Sequence, residues 1–237
     1  MGVINSENVP KDNVDNKIAV FKQSPTLAHL AENELKEIAD LATPRHFAKG
    51  EFIFLEGDPP DFFYVVQEGR VKLFKESFSG KNFTVSVNHC GDTVHAYVLF
   101  GGKPRWLSAQ AMDEVILLCI KRGEYLSFIA KYPSTLMKIV GILGEQVHSA
   151  HERLIDMAGE KVDQRLFNVL YMLLSKFGTT LFFTNEELAD LAGTTTETVI
   201  RVIGRLKKSG IIRSSRGKFI ILDEARLRHS SYGPYLI

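Results

Sequence analysis

The most legible chemistry in the chain lies between Thr184 and Leu222. Thr184-Asn185-Glu186-Glu187 has the order of a capping box, in which the Thr hydroxyl accepts from the third helical amide and the Glu reaches back to the cap. Leu188 and Leu191 give the following helix a short apolar face, and Gly193 ends it at a turn. Thr194-Thr195-Thr196-Glu197 offers a second capping signal. The next helix buries Val199, Val202, Ile203 and Leu206 and carries Glu197, Arg201, Arg205 and Lys208 on its other face, until Ser209-Gly210 stops it. Two short helices joined by a Gly-containing turn are a helix-turn-helix pattern. Ile211-Ile212-Arg213, a turn at Ser215-Arg216-Gly217 and Phe219 to Leu222 then read as a β-hairpin wing. Arg213, Arg216 and Lys218 on that wing can neutralise phosphates, which adds affinity but little sequence information.

Other reactive side chains lack such a context. Cys90 and Cys119 are the two cysteines of the chain. Without CxxC spacing they cannot supply the roughly four ligands of an iron–sulfur cluster, nor a zinc site by themselves. We expect no iron–sulfur cluster and no firm metal site. The histidines and acidic residues show no triad or metal-ligand spacing, and no GxSxG, HExxH, P-loop or GxGxxG stands in a suitable context, so the expectation is not an enzyme. From Glu160 onward there are 12 Lys+Arg against 8 Asp+Glu, leaving 17 against 20 of the totals of 29 and 28 for the first 159 residues. A basic back half suits a polyanionic partner. No run of about 18 apolar residues occurs and Met1 to Lys17 lacks a secretory apolar stretch, giving a cytoplasmic protein without a membrane partner as the expectation.

The elements that must position these residues follow from periodicity. A polar leader is read over residues 1–24, followed by helical spacing from Pro25 to Leu41 that Pro44 ends. From Arg45 to Lys121, short Val/Ile/Phe runs alternate with Gly50, Gly57, Gly69, Gly80, Gly91 and Gly101-Gly102. Short strands with turn glycines that recur about every 11 or 12 residues from Gly57 onward predict a sandwich or barrel-like roll. Tyr125 to Ala130 is a short helical piece, and Ser134 is placed to cap a long helix. Along that helix Leu136, Val140, Leu143, Val147, Ala150, Leu154 and Met157 recur in steps of four and three, an a/d seam suited to a homodimer, with an ordinary amphipathic helix packed on its own domain as the alternative. A further helix spans Lys161 to Phe177. The fold class is α+β: a β-roll domain (25–132), a dimerisation helix (133–158) and a winged helix-turn-helix domain (159–237).

On these residues the chain resembles a known family. Thr184-Asn185-Glu186-Glu187-Leu188-Ala189, Gly193, Glu197-Thr198-Val199-Ile200-Arg201, Leu206 and Ser209-Gly210-Ile211 resemble the DNA-binding signature of the CRP/FNR superfamily of bacterial regulators. The preceding roll, glycine ladder and long helix resemble its cyclic-nucleotide-binding-like sensor domain. The resemblance implies a homodimeric transcription regulator, activator or repressor, on palindromic double-stranded DNA, with RNA polymerase a further partner of an activator. It places the second helix in the major groove with Glu197 and Arg201 facing base edges, where a carboxylate can accept from cytosine N4 and a guanidinium can engage guanine O6/N7. An internal Glu197–Arg201 pair is the plain structural alternative. Thr196 stands where cyclic-AMP-type members carry a base-reading Arg, and Ile200 is placed to meet a thymine methyl.

The same resemblance makes the sensor unusual. The Gly and Glu of the cyclic-nucleotide phosphate cassette fall at His95 and Ala96, Trp106 follows Arg105 in place of a small hydroxyl residue, and the adenine-contacting hydroxyl pair falls near Ala150-His151. The expected effector residues are His95, Ala96, Tyr97, Arg105, Trp106 and His151. Three signals stay open: haem, with His95 ahead of His89, His148, His151, Met112 and Met137 as axial ligand; a small organic or anionic effector held by Arg105 between Tyr97 and Trp106; or thiol oxidation at Cys90 or Cys119. A cyclic-nucleotide-dependent regulator with a divergent cassette is the alternative. In each case effector binding would alter packing of the roll on the long helix and reposition two recognition helices about 34 Å apart.

Overall fold

A computed structural model describes residues 13–77 and 80–230. The chain divides into two compact units, residues 1–75 with 86–143 and residues 76–85 with 144–237. The division falls within the long helix at Leu143/Gly144, earlier than the end of that helix near Gly159, and it assigns the tip of one hairpin to the second unit.

In the first unit the helices α1 (Val14–Phe21) and α2 (Glu32–Leu41) precede strands β1 (Thr43–Phe47), β2 (Phe52–Phe54), β3 (Phe62–Glu68) and β4 (Val71–Glu76). Strand β5 (Asn82–Asn88), α3 (Val98–Gly101), β6 (Ser108–Ala111), β7 (Val115–Lys121), α4 (Arg122–Lys131) and the long helix α5 (Pro133–Gly159) follow. Two sheets form, in the orders β1-β7-β3 and β2-β6-β4-β5. Strands β3 and β7 pair antiparallel with Phe63 opposite Ile120 and Tyr64 opposite Cys119.

Side chains alternate across a strand, and here both faces of β3 and β7 are used. Phe63, Val65, Leu118 and Ile120 join Phe21, Leu35, Ile38, Tyr125 and Phe128 in one apolar cluster. Tyr64, Val66, Leu117 and Cys119 join Phe54, Val71, Leu73 and Leu107 in the other. Two-sided burial is why these strands read as continuous apolar runs. The Phe63 and Tyr125 rings stack at 3.8 Å and 10°. Gly57, Gly69, Gly80, Gly91 and Gly102 all take positive φ. At Gly69 the requirement is absolute, because a Cβ there would lie 2.3 Å from the Glu114 carbonyl oxygen.

Three local expectations are corrected. Residues 14–21 of the expected polar leader form α1, whose Ile18, Val20 and Phe21 are buried; the leader's residues 1–12 lie outside the described residues. The helix expected from Pro25 begins at Glu32. Ser24 oxygen accepts from Leu27 and Ala28 in an isolated turn, which buries Leu27 and Leu30 without continuing, and Glu34 accepts from the Ala31 amide at 2.8 Å to start α2. Finally, α5 starts at Pro133, within the segment where Ser134 was expected as the cap; proline suits a first helical turn, where its missing N–H is not needed.

The second unit continues with α6 (Val162–Phe177), β8 (Thr180–Leu181), α7 (Asn185–Ala192), α8 (Thr196–Lys208), β9 (Ile212–Ser215), β10 (Lys218–Ile221) and α9 (Glu224–Ser230). Its sheet has the order β8-β10-β9. Strand β8, which pairs Leu181 with Phe219, adds to the wing a third strand that the sequence reading had left out. Leu166, Leu170, Leu173, Val199, Val202, Leu206 and Leu227 are buried in this unit. Among the described residues no single helix is long and apolar enough to cross a membrane.

Candidate nucleic-acid interface and effector pocket

Helix α7 opens with both halves of its capping box: Thr184 Oγ1 accepts from the Glu187 amide at 3.1 Å, and Glu187 accepts from the Thr184 amide at 2.6 Å. It ends at Gly193, with φ 60°, a left-handed cap that suits glycine. Arg165 of α6 donates to the Ala192 and Gly193 carbonyls at 3.2 and 3.1 Å, satisfying groups that a helix end leaves open. Thr195 then caps α8, its Oγ1 accepting from the Thr198 amide at 3.3 Å. Thr194 and Thr196 flank that cap and are half-buried.

Helix α8 buries Val199, Val202, Ile203 and Leu206, so Glu197, Ile200, Arg201, Arg205 and Lys208 are left on its exposed side. Ile200 is 54% exposed, unusual for so apolar a side chain. The Glu197 carboxyl is held below its ordinary pKa by its own backbone amide and the Thr195 hydroxyl, as expected of a carboxylate at a helix N-terminus. Glu197 and Arg201 form no ion pair with each other among the described residues, so the internal pairing weighed from their spacing is not made. Arg205 does have an internal partner: it is bridged to Asp163 at 2.5 Å, which ties α8 to α6. In the wing, Arg213 and Arg216 are exposed. Lys218 is half-buried, its ammonium 5.4 Å from the centroid of Phe182.

The expected effector residues separate by unit. In the first, His95 and Arg105 are both only 2% exposed. His95 is the one non-glycine residue with positive φ among the described residues, at 53°, in the position where the family resemblance expected glycine. Its ring lies 6.0 Å from Phe54, 4.9 Å from Tyr97 and 5.5 Å from Trp106, centroid to centroid. Neither ring nitrogen has a hydrogen-bond partner among the described residues. Burial, together with the nearby Arg105 charge, pushes its pKa down to about 4, so the imidazole is neutral at pH 7. Arg105 stacks on Phe54 and donates through one terminal nitrogen to the Phe62 carbonyl at 2.8 Å; its other terminal nitrogen, Nη1, has no partner among the described residues. Tyr97 is half-buried and Trp106 about half exposed, at the rim of the cluster. Ala96 packs instead against the helical cluster around Phe21. His151 is exposed on the part of α5 that belongs to the second unit.

Of the other ligand candidates, His89 is bridged to Asp92 at 2.9 Å, Met112 is buried, and Met137 and His148 are exposed. Burial pushes Cys119 up to about 12 and also raises Cys90, which makes poor thiolates of both.

The α5 seam is open in the single chain. Leu136, Val140, Val147, Leu154 and Met157 are 41–66% exposed, and Ala150 is exposed too. Leu143 differs, packing partly against its own unit's helical core beside Ile139. Sequence reasoning missed Arg153 and Arg165, whose guanidinium groups reach backbone carbonyls far along the chain; no motif marks either.

Comparison with known proteins agrees with this architecture. Residues 44–132 match the cyclic nucleotide-binding domain family and residues 164–230 the Crp-like helix-turn-helix domain. The chain is 29% identical over 214 residues to the cyclic AMP receptor protein of Thermus thermophilus, covering 90% of this chain and 99% of that protein. It is 28% identical to the nitrogen fixation regulation protein FixK of Bradyrhizobium diazoefficiens, covering 87% of this chain and 90% of that protein. In fold it is similar to FixK2 from Bradyrhizobium japonicum, with TM-score 0.74 and 20% identity over 81% of this chain and 98% of that one. With a cyclic-nucleotide-binding-type domain followed by a Crp-type helix-turn-helix, in the order and span of its relatives, the chain belongs to the CRP/FNR family of transcription regulators.

Proposed function

We propose that the protein is an effector-responsive regulator that binds a palindromic DNA site as a homodimer joined along α5. The observation that carries this is the side of α8 left open by its own packing: Glu197, Ile200 and Arg201 stand exposed above a fully buried row. A carboxylate and a guanidinium one turn apart suit a G·C pair, and the isoleucine suits a thymine methyl. Arg213 and Arg216 supply phosphate contacts, and Thr184 at the α7 N-terminus supplies another. The apolar seam Leu136, Val140, Val147, Ala150, Leu154 and Met157 supports the dimer, because so much exposed apolar surface in one row suits a partner helix. Selection from random duplexes tests the reading. The expected product is two inverted half-sites with centres about 34 Å apart, and recovery of no enriched sequence overturns it.

The signal we infer is a small organic anion held by Arg105 and His95, in place of a cyclic nucleotide. A buried guanidinium with an unpaired Nη1 and an imidazole with two unpaired nitrogens each cost about 1–3 kcal/mol relative to satisfied groups. A carboxylate-sized anion would satisfy both. A cyclic nucleotide lacks its partner carboxylate at Ala96, and a haem macrocycle would have to displace the Phe54, Tyr97 and Trp106 rings around His95. Thermal-shift and calorimetric titration with small carboxylates, inorganic phosphate, cyclic AMP, cyclic GMP and haemin separates these readings. Saturable anion binding that Arg105→Met abolishes is the expected result; tight cyclic AMP binding, or a Soret band lost in His95→Ala, overturns it.

A further inference from the structure

In the second unit the Arg153 side chain reaches three backbone carbonyls, and no sequence motif marks it. Its guanidinium donates to the carbonyls of Val85 and Thr84, the latter at 3.1 Å, and also to the Leu191 carbonyl at 3.1 Å. The first two belong to β5 and the third to the last turn of α7, 68, 69 and 38 residues away in sequence. The guanidinium carbon is 5.2 Å from the centroid of Phe83, and the Phe83 ring approaches within 3.5 Å of the Cβ position of Gly193. Met157, one turn along α5 from Arg153, comes within 3.1 Å of the same position. Burial pushes the Arg153 pKa down, opposed by Asp156. A guanidinium stays protonated through such a shift, so it is a half-buried cation whose compensation comes from three carbonyl dipoles.

The other end of β5 lies in the first unit. There the Asn88 side chain donates to the Thr93 carbonyl at 2.9 Å, two residues before His95. A single strand therefore starts at the Arg153 clasp and finishes at the loop that carries the orphaned imidazole. Strands are stiff along their length, rising about 3.3 Å per residue. Arg165 provides the internal contrast, since it also covers carbonyls at the helix-turn-helix turn, donating to Ala192 and Gly193 and, among the described residues, not to the hairpin.

We propose that Arg153 is a positioning residue for operator binding: it fixes the turn between α7 and α8 to the tip of the β4–β5 hairpin, so that the sensor strand and the recognition helix share one anchor. The proposal rests on the DNA-binding reading above for its consequence, but the clasp itself can be tested without DNA. The experiment uses the full chain with Arg153→Gln, Arg153→Lys and Arg165→Gln. Amide hydrogen exchange is followed over residues 81–88 and 191–195, and operator affinity is measured across a salt series.

Arg153→Gln should speed exchange in both segments together, whereas Arg165→Gln should speed it only in 191–195. Operator affinity of Arg153→Gln should fall about ten-fold or more with the slope of log affinity against log salt unchanged, since no phosphate contact is lost. Arg153→Lys keeps the charge but cannot span three carbonyls, and it should show the same pattern more weakly; it decides the matter if the glutamine variant does not fold. Hairpin exchange unaltered in the Arg153 variants overturns the clasp, as does operator affinity equal to wild type. A wild-type protein that binds no duplex would instead remove the DNA reading while leaving the exchange result to judge the clasp.

Discussion

The guanidinium carbon of Arg105 lies 3.9 Å from the centroid of the Phe54 ring. A cation on an aromatic face in a desolvated site is worth about 2 kcal/mol, and here it takes the place of a carboxylate partner. The carboxylates of Asp58 and Asp61 act on the Arg105 guanidinium through their charge, while burial chiefly pushes its pKa down. The cluster thus holds a positive charge dry, with Nη1 unpaired among the described residues and a neutral imidazole beside it.

That imbalance has a pH signature. His95 is pushed down to about 4 from 6.5, so the unfolded chain takes up its proton at a higher pH than the folded one. The sign follows from linkage: the contribution is fully present above pH 6.5 and is lost as pH falls from 6.5 toward 4. The loss amounts to about 3 kcal/mol over that window. Urea unfolding at a series of pH values should show wild type losing that much more than His95→Phe, and parallel curves for the two proteins would refute it.

Base reading and phosphate binding should part company in mutants. Arg201→Ala should cost about 1–3 kcal/mol on the selected operator and relax preference at a single position. Arg216→Ala should weaken all duplexes alike and reduce the salt slope by about one. Competition binding with single-position operator variants, repeated at several salt concentrations, distinguishes the two.

Dimerisation is best tested at Val147, because it is 53% exposed in the single chain, whereas Leu143 also packs in its own core. Val147→Glu should leave the monomer folded, shift sedimentation to the monomer and abolish tight operator binding. A charged variant that sediments as a dimer would place the interface elsewhere.

The capping box should be measurable as stability. Thr184→Ala removes the acceptor of the Glu187 amide and should cost about 1 kcal/mol, within a range of roughly 0.5–2. Thr184→Ser should restore most of it. Calorimetric melting of the three proteins checks the order.

How far the sequence revealed this molecule varied with the range of the interaction. The helix-turn-helix was readable because its determinants are local: Thr184 and Glu187 are three residues apart, and Gly193 takes its left-handed cap at the expected place. The roll was readable because its glycines mark turns at a regular interval. Helix α1 escaped notice because Ile18, Val20 and Phe21 are a short apolar set among polar residues, buried only by partners supplied from β3, α2 and α4. The turn at Ser24 to Leu30 mimicked helical spacing, since buried leucines three apart suit either form. Arg153 was invisible for a deeper reason: backbone carbonyls 38 to 69 residues away have no side-chain identity, so no residue pattern announces them.

The sandwiching of β3 and β7 between two apolar clusters also bears on which changes the protein can absorb. An ordinary half-buried strand has a wet side, where substitutions are nearly free, and every second position is a place for drift. Leu117, Leu118, Cys119 and Ile120 are each at most 3% exposed, so four successive positions lack that freedom. A saturation library across this segment should therefore return survivors limited to similar apolar volumes at every site, while exposed Glu197, Ile200 and Arg201 of α8 should vary with little cost to folding.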